Sequence, residues 1–361
     1  MPAATHRYAL LTLDSSNRLY ASHAGDLLVA ELLAVSTALH AEIDDVAAIT
    51  LGGIGYVVFT ASTLDDHDRF IVSNLSTVRA LFELLPDELL RPIELDPLAY
   101  FASDLVTIQR YPGKTNEQFT HLVLNLAVAA STAAAARSSQ GRPVRVLDPV
   151  AGRGTTLNRA LTYGYNASGI EITAADVDQY RTFITTYLKN KRVKHKKTEQ
   201  NVRKGQHAGT HRTTVRIGGG QQLELIKGDT TTAAALFPAK SFDALVADLP
   251  YGVHHRAATP SGRGRSPYEL LDASLDGWHH VMRSGAAIAL AFNTKTLARR
   301  EVTELFRAHG FDTVGHPQSF EHIVDRSITR DVAVARKTGS ATGRRGARVE
   351  ATPSDDDNLE I

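Results

Sequence analysis

The chain contains no cysteine. That absence excludes disulfides, thiolate metal centres and a cysteine nucleophile together. It agrees with a reducing compartment, so a cytoplasmic location is the expectation. No apolar run approaches the ~18 residues that a membrane span requires, and no membrane partner is expected. The opening Met1-Pro2-Ala3-Ala4-Thr5-His6-Arg7 is followed by no signal-type apolar core. Excess charge is also missing: 361 residues sum to +1, a balance that hides one strongly basic stretch described below. With 43% hydrophobic and 22% charged residues the composition is that of a globular chain with a sizeable core, and the length favours two domains over one. There is no internal repeat.

The first ~110 residues are expected to form a small α+β domain, residues 1–110. Tyr8 to Leu13 reads as a strand. Gly25-Asp26 opens an amphipathic helix to about His40, with Leu28, Leu32, Val35 and Leu39 on one face. Ile49 to Leu51 and Tyr56 to Thr60 flank Gly52-Gly53-Ile54-Gly55 as a hairpin, and a helix is expected from Asn74 to Leu85, stopped by Pro86. No chemistry is evident in this part, and the Gly52–Gly55 run reads as a plain turn rather than a phosphate loop. Arg110-Tyr111-Pro112-Gly113-Lys114 is a turn-rich join. Thr115-x-x-Gln118 then fits a capping box for a helix that runs to about Arg137.

From Val144 the pattern becomes strand, glycine turn, helix, strand, helix, strand, as in a doubly wound parallel sheet, taken here as residues 111–337. The strand candidates are Val144 to Leu147, Ala167 to Ile170, Leu223 to Ile226, Ala244 to Ala247, Ala286 to Ala291 and Asp331 to Ala335. Residues 338–361, rich in Ser, Gly and Arg and ending near Asp355-Asp356-Asp357, are expected to be a disordered tail.

Four strand ends carry acids in order. Asp148-Pro149-Val150-Ala151-Gly152-Arg153-Gly154-Thr155 follows the first strand. Its glycines permit a sharp turn and close backbone approach to a ligand. It lacks the third glycine of a dinucleotide fingerprint, and no Gly-Lys-Ser/Thr follows, which excludes a Walker loop. An acid opening the turn repels a diphosphate and suits a ligand with an ammonium group. Glu171 closes the second strand, placed to accept from ribose hydroxyls. Asp229, followed by Thr230, ends the third, where a carboxylate can accept from an adenine amine. Asp248-Leu249-Pro250-Tyr251-Gly252 ends the fourth. Each acid alone reads more simply as a solvated strand end; the four in register describe a site for S-adenosyl-L-methionine. At the fourth, Asp248 and a carbonyl of Leu249 or Pro250 can accept both hydrogens of a planar amine, while Tyr251 stacks on the ring that bears it.

This set resembles the class I S-adenosylmethionine-dependent amino-methyltransferases, with Asp248-Leu249-Pro250-Tyr251 corresponding to their D/N-P-P-Y/F motif and Leu249 replacing the first proline. Within them the Tyr251-Gly252 ending, the N-terminal domain and Arg326-Ser327-Ile328-Thr329-Arg330 look most like the tRNA guanosine N2-methyltransferases, whose members often carry an N-terminal THUMP module. The resemblance implies a Rossmann-like methyltransferase fold and methylation of an exocyclic base amine in RNA, guanine N2 in tRNA first. DNA adenine-N6 and rRNA guanine-N2 methylation are the alternatives. It also implies that the Lys114-Thr115-Asn116 turn closes over the methionine end of the cofactor; a plain helix cap is the competing reading. RNA binding is the role considered for residues 1–110.

Between Lys189 and Arg216 stand ten basic residues, Lys191, Arg192, Lys194, Lys196 and Lys197 among them, against the single acid Glu199. Read as an extension of the helix that begins near Ala174, this insertion (189–220) is a candidate phosphate-binding arm; a solvated loop is the plainer reading. The arm argues against a protein-glutamine methyltransferase. Arg326 and His322 are further candidates for RNA contact. His254-His255 lacks a third ligand at useful spacing, and methyl transfer from a sulfonium needs no metal, so none is expected.

Overall fold

A computed structural model describes residues 5–13, 15, 18–201, 210–250, 265–316 and 318–338. Tyr251, Gly252, His254, His255, Arg256, Arg263, the distal part of the basic stretch at Arg203 and Lys204, and the tail from residue 339 lie outside the described residues.

The N-terminal part alternates β1 (His6–Thr12), α1 (Arg18–Val35), β2 (Ile43–Leu51), β3 (Ile54–Ala61), α2 (Asp66–Ser73), β4 (Val78–Leu84) and β5 (Leu90–Ile93). The strands form one antiparallel sheet in the order β2-β3-β1-β4-β5. Alternation sorts its side chains: Leu10, Val57, Phe59 and Leu81 pack with Leu28 and Leu32 of α1, while Ala9, Tyr56, Val58 and Phe82 gather on the opposite face. The helix expected over Asn74–Leu85 is not formed. The helix there is α2, capped by Asp65, which accepts from the Asp68 N–H. Val78–Leu84 is a strand, although Ala, Leu and Glu favour helix, because it pairs with β1 from Tyr8↔Glu83 to Leu11↔Ala80.

The C-terminal part continues through α3 (Asp104–Thr107), α4 (Glu117–Ala129) and α5 (Thr132–Ser138) to β6 (Arg145–Asp148), α6 (Thr155–Thr162), β7 (Asn166–Glu171) and α7 (Ala174–Asn190). There follow β8 (His195–Asn201), β9 (His211–Ile217), β10 (Gln221–Lys227), α8 (Ala233–Leu236), β11 (Phe242–Asp248), α9 (Pro267–Val281), β12 (Met282–Asn293), α10 (Arg299–Ala308), β13 (Phe311–Val314), β14 (His322–Ile323) and β15 (Thr329–Lys337). The ten-stranded sheet runs β13-β15-β12-β11-β6-β7-β10-β9-β8, with β14 beside β15. β10, β7, β6, β11 and β12 are mutually parallel, and β15 enters antiparallel between β12 and β13. The chain winds outward from β6 through β7 to β10, then returns to build β11 and β12 on the other side. This is the Rossmann-like, class I methyltransferase sheet, and its switch point lies between β6 and β11, where such sheets open a ligand crevice. The central strands are fully buried apolar runs, as a sheet covered on both faces demands.

Three local expectations need correction. The helix after the join does not run unbroken to Arg137: α4 and α5 meet at 86°. Ser131 makes the break, its hydroxyl accepting from the Ala134 N–H and donating to the Asp243 carbonyl. The cap of α4 is Asn116, which accepts from the N–H groups of Gln118 and Phe119. Thr115 therefore plays no part in that cap. The basic stretch does not prolong α7. Arg192 takes a left-handed conformation, φ 57°, and the chain turns into β8, which pairs with β9 as an antiparallel ribbon on the sheet edge. Among the described residues, no single helix is long and apolar enough to cross a membrane.

The two sheets share buried structure. Tyr20, Leu27 and Ala30 of α1 belong to the same apolar cluster as Phe119, Leu122 and Leu126 of α4. Glu31 in α1, with no exposure at all, accepts from the backbone and hydroxyl of Ser76 and, at 2.7 Å, from the Asn125 amide of α4.

Candidate functional site

One cleft of about 630 Å³ opens at the carboxyl ends of the parallel strands, and it brings together Thr115, Asp148, Pro149, Gly152, Thr155, Glu171, Asp229, Thr230, Asp248, Leu249 and Pro250. Gly154 and Asn116 do not line it. Gly154 acts on the turn instead: at φ 80°, a Cβ there would stand 2.3 Å from the ring of Tyr180, itself buried and donating to Asn158 Oδ1 at 3.0 Å. Gly152, at φ 49°, has nothing within 4 Å of its would-be Cβ. The first glycine thus keeps the cleft open, and the second lets α6 start against Tyr180.

The turn is tied to the next strand. The Gly152 N–H donates to Glu171 Oε2 at 2.9 Å, and the Thr173 N–H to Oε1 at 2.7 Å. Glu171 thereby fixes two loops while its other lone pairs face the cleft. Asp148 is buried, accepting from the Val150 N–H at 3.1 Å. Burial, and then the carboxylates of Asp248 and Glu171, push its pKa up to about 7, against the pull of the Thr156 and Val150 hydrogen bonds. Asp229 accepts from the Thr231 N–H and from Arg265 Nη1 at 3.1 Å. Burial raises it, yet Thr231 and Arg265 outweigh burial and hold it below the usual carboxylate range.

Asp248 ends β11, two residues beyond the level of Asp148 on β6. Its Oδ2 accepts from the Thr115 hydroxyl at 2.6 Å, and Arg330 Nη2 lies 3.9 Å away. Its Oδ1 is buried with no hydrogen-bond partner among the described residues. Burial raises its pKa, opposed by Arg330 and by the Thr115 hydroxyl. Arg330 is itself buried, its guanidinium 4.7 Å from the centre of the Phe119 ring. Leu249 is buried and donates its N–H to the Ala291 carbonyl at 3.0 Å, which fixes the chain leaving the strand.

Several wall residues escaped the sequence reading. Tyr111 bonds Thr155 Oγ1 at 3.1 Å and lies under the Arg153 guanidinium, which pairs with Asp176 at 2.8 Å. Tyr111 stands in the segment read as a join, and Phe119 in the apolar stripe of a helix, so neither carried a distinguishing signal.

The basic candidates of the insertion are not brought to the cleft. β8 lies five strands from β11, about 24 Å at normal strand spacing. Lys191 pairs with Asp104 and Lys197 with Glu199, whereas Arg192, Lys194 and Lys196 are exposed near the start of β8, the end of the sheet opposite the cleft. Arg326 is on the same rim as the cleft, its carbonyl accepting from Lys295 Nζ at 2.6 Å. His322 is buried against Phe119. His40, Asp65 and Asp68 approach as metal ligands would, but Asp65 accepts from the Asp68 N–H at the start of α2, and Asp68 from the N–H groups of His40 and Ala41 just ahead of β2.

No protein-family model matches the chain, and no curated protein matches its sequence. Solved structures resemble it in fold. The 1,6-didemethyltoxoflavin-N1-methyltransferase of Burkholderia thailandensis, with bound S-adenosylhomocysteine, is 16% identical, with TM-score 0.34 over 57% of this chain and 76% of that one. A candidate RNA methyltransferase from Pyrococcus horikoshii is 16% identical, with TM-score 0.37 over 66% of this chain and 91% of that one. The magnesium protoporphyrin IX methyltransferase of Synechocystis PCC 6803, with bound S-adenosylmethionine, is 13% identical, with TM-score 0.37 over 63% and 87%. The strand order, rather than these likenesses, defines the fold.

Proposed function

We propose that the protein is an S-adenosyl-L-methionine-dependent N-methyltransferase that methylates the exocyclic amine of a nucleobase in RNA, with guanine N2 in tRNA as the substrate its motif favours. The observation that carries the reading is Asp248. It ends a strand at the switch point of the sheet, one oxygen is anchored by Thr115, and the other is buried without a partner among the described residues. An acceptor of that kind is suited to an N–H donor that arrives with the substrate.

The cleft fits the cofactor. Its volume suits a nucleoside-sized ligand, and five carboxylates line it, the strand-end acids Asp148, Glu171, Asp229 and Asp248 together with Asp176. A crowded carboxyl such as Asp148 gains from a cationic ligand and would hold an ammonium group. Glu171 and Asp229 would take ribose and adenine donors, with Arg265 moving off Asp229 or bridging to it. When bound, S-adenosyl-L-methionine supplies the sulfonium methyl group.

Asp248, helped by a carbonyl of Leu249 or Pro250, would hold the amine while the new N–C bond forms and the methyl–sulfur bond breaks to leave a neutral thioether, and would accept the proton that the nitrogen loses; no side-chain nucleophile is needed. The base is turned out of its stack to reach the rim, where Tyr251 would stack on it. Arg326, on the same rim, would meet the RNA.

The test incubates the protein with labelled cofactor and bulk tRNA, rRNA or DNA. Label in guanine N2 of tRNA is the expected result. Label in rRNA guanine or DNA adenine would move the substrate without moving the chemistry. Asp248→Ala should abolish transfer while cofactor binding persists, and equal loss of both would overturn the role given to Asp248.

A further inference from the structure

A second cavity, of about 370 Å³, opens at the other end of the sheet and is lined by Arg137, Arg142, Lys240 and Arg283 around Asp243. Asp243 stands at the start of β11 and Asp248 ends it, five residues on, so the two cavities stand about 17 Å apart along one strand. Asp243 is 1% exposed and is held by the Arg145 N–H at 2.9 Å. It lies 3.3 Å from Arg137 Nε and 3.2 Å from Arg283 Nε. One buried carboxylate therefore lies within ion-pair reach of two guanidinium groups, and Arg137 Nε donates to the Pro143 carbonyl as well. Among the described residues, the terminal amino groups of Arg137 and Arg283, the guanidinium of Arg142 and the ammonium of Lys240 meet no hydrogen-bond acceptor.

The charges do not balance. Four cations face one anion, and Asp243 is the only acid in the lining among the described residues. Like charges gathered in a concave, partly desolvated place repel one another. Arg145, behind them, is lowered from its usual pKa first by burial and then by Arg137. Such a site gains from an anion of more than one charge, and forked guanidinium donors match the oxygens of a phosphoryl group.

We propose that this cavity is a phosphoryl-binding site, distinct from the methyl-transfer cleft, that takes either a free phosphate or diphosphate or a phosphodiester of a bound nucleic acid. Arg137, tied to the Pro143 carbonyl, and Arg283 are the preformed part, both ion-paired with Asp243. Arg142 and Lys240, exposed at the mouth, supply the variable part.

The double variant Arg142→Gln/Lys240→Gln tests this without unpairing Asp243, and a thermal melt checks that it folds. Inorganic phosphate and pyrophosphate are titrated calorimetrically into the wild-type and variant proteins, and tRNA binding is measured against salt concentration. Saturable pyrophosphate binding by the wild type that weakens about tenfold or more in the variant supports the site. If the slope of log affinity for tRNA against log salt also falls by about 0.9 for each cation removed, the phosphoryl group is the backbone of nucleic acid. An unchanged slope with lost pyrophosphate binding assigns a free phosphate ligand. Absence of any difference between the two proteins in all arms overturns the proposal. The pyrophosphate arm requires no methyl transfer, so it stands or falls apart from the catalytic reading.

Discussion

Thr115 and Asp248, 133 positions apart in sequence, are joined by a 2.6 Å hydrogen bond in which the threonine hydroxyl donates to Oδ2. The contact fixes the carboxylate plane, while Oδ1 stays buried with no hydrogen-bond partner among the described residues. A hydrogen bond to a charged group contributes roughly 1.5–3 kcal/mol. Thr115→Val is therefore expected to lower kcat of methyl transfer by roughly ten- to a hundredfold, with Thr115→Ser restoring most of it. Single-turnover rates on tRNA measure this, and a valine variant as fast as wild type would remove Thr115 from the site's working parts.

Arg330 sets the charge on the same carboxylate. Burial pushes the Asp248 pKa up, and Arg330 is the largest opposing influence. Arg330→Met should let it rise further, so the acid limb of the kcat/KM profile is expected to move to higher pH. A limb that stays in place means that Arg330 serves packing on Phe119 alone.

Asp148 has a distinct pH signature. Its pKa is about 7 in the fold, against an ordinary 3.8. Between those values the folded chain binds the proton and the unfolded chain releases it, so this group's contribution to stability falls as pH rises through the window. Relative to wild type, Asp148→Asn should gain melting temperature from about pH 4 to about pH 7 and then level off. Cofactor affinity should move the opposite way: an ammonium ligand favours the ionised carboxylate, so wild-type affinity rises with pH up to about 7 and the asparagine variant shows no such rise. Calorimetry in two buffers of different ionisation enthalpy should report proton release on binding near pH 6.

The two turn glycines should fail differently. Gly154→Ala drives a methyl group into the Tyr180 ring at a left-handed position, costing about 2–5 kcal/mol, and should lower the melting temperature sharply. Gly152→Ala meets no atom within 4 Å and costs about 1–2 kcal/mol of backbone strain. It should fold and lose cofactor affinity, because its methyl group projects toward the ligand. Equal destabilisation by the two changes would contradict the division of labour at this turn.

The parallel strands and the rim of acids were legible because buried strands are short apolar runs, and each run stops at a polar residue that the sheet brings to one end. What was not legible came from pairing and from packing between distant segments. Val78–Leu84 has helix-forming residues, and only its partnership with β1 makes it a strand. Lys191 to Lys197 read as a charged helix end, but Arg192 turns the chain into an edge ribbon. Thr115 looked like a capping residue because Gln118 lies three positions on; its neighbour Asn116 caps the helix and frees Thr115 for Asp248. Arg330 and Phe119 come from a late strand and an early helix, and no spacing rule links them.

The Glu31 contacts with Ser76 and Asn125 have a consequence for dissecting the protein. A fragment beginning near residue 111 would leave the Asn125 amide without its acceptor and bare the side of α4 that Leu27 and Ala30 cover. Such a fragment should be recovered insoluble or as soluble aggregate, so the proposal that the leading segment binds RNA is better tested by point changes on its outer sheet face than by cutting it away.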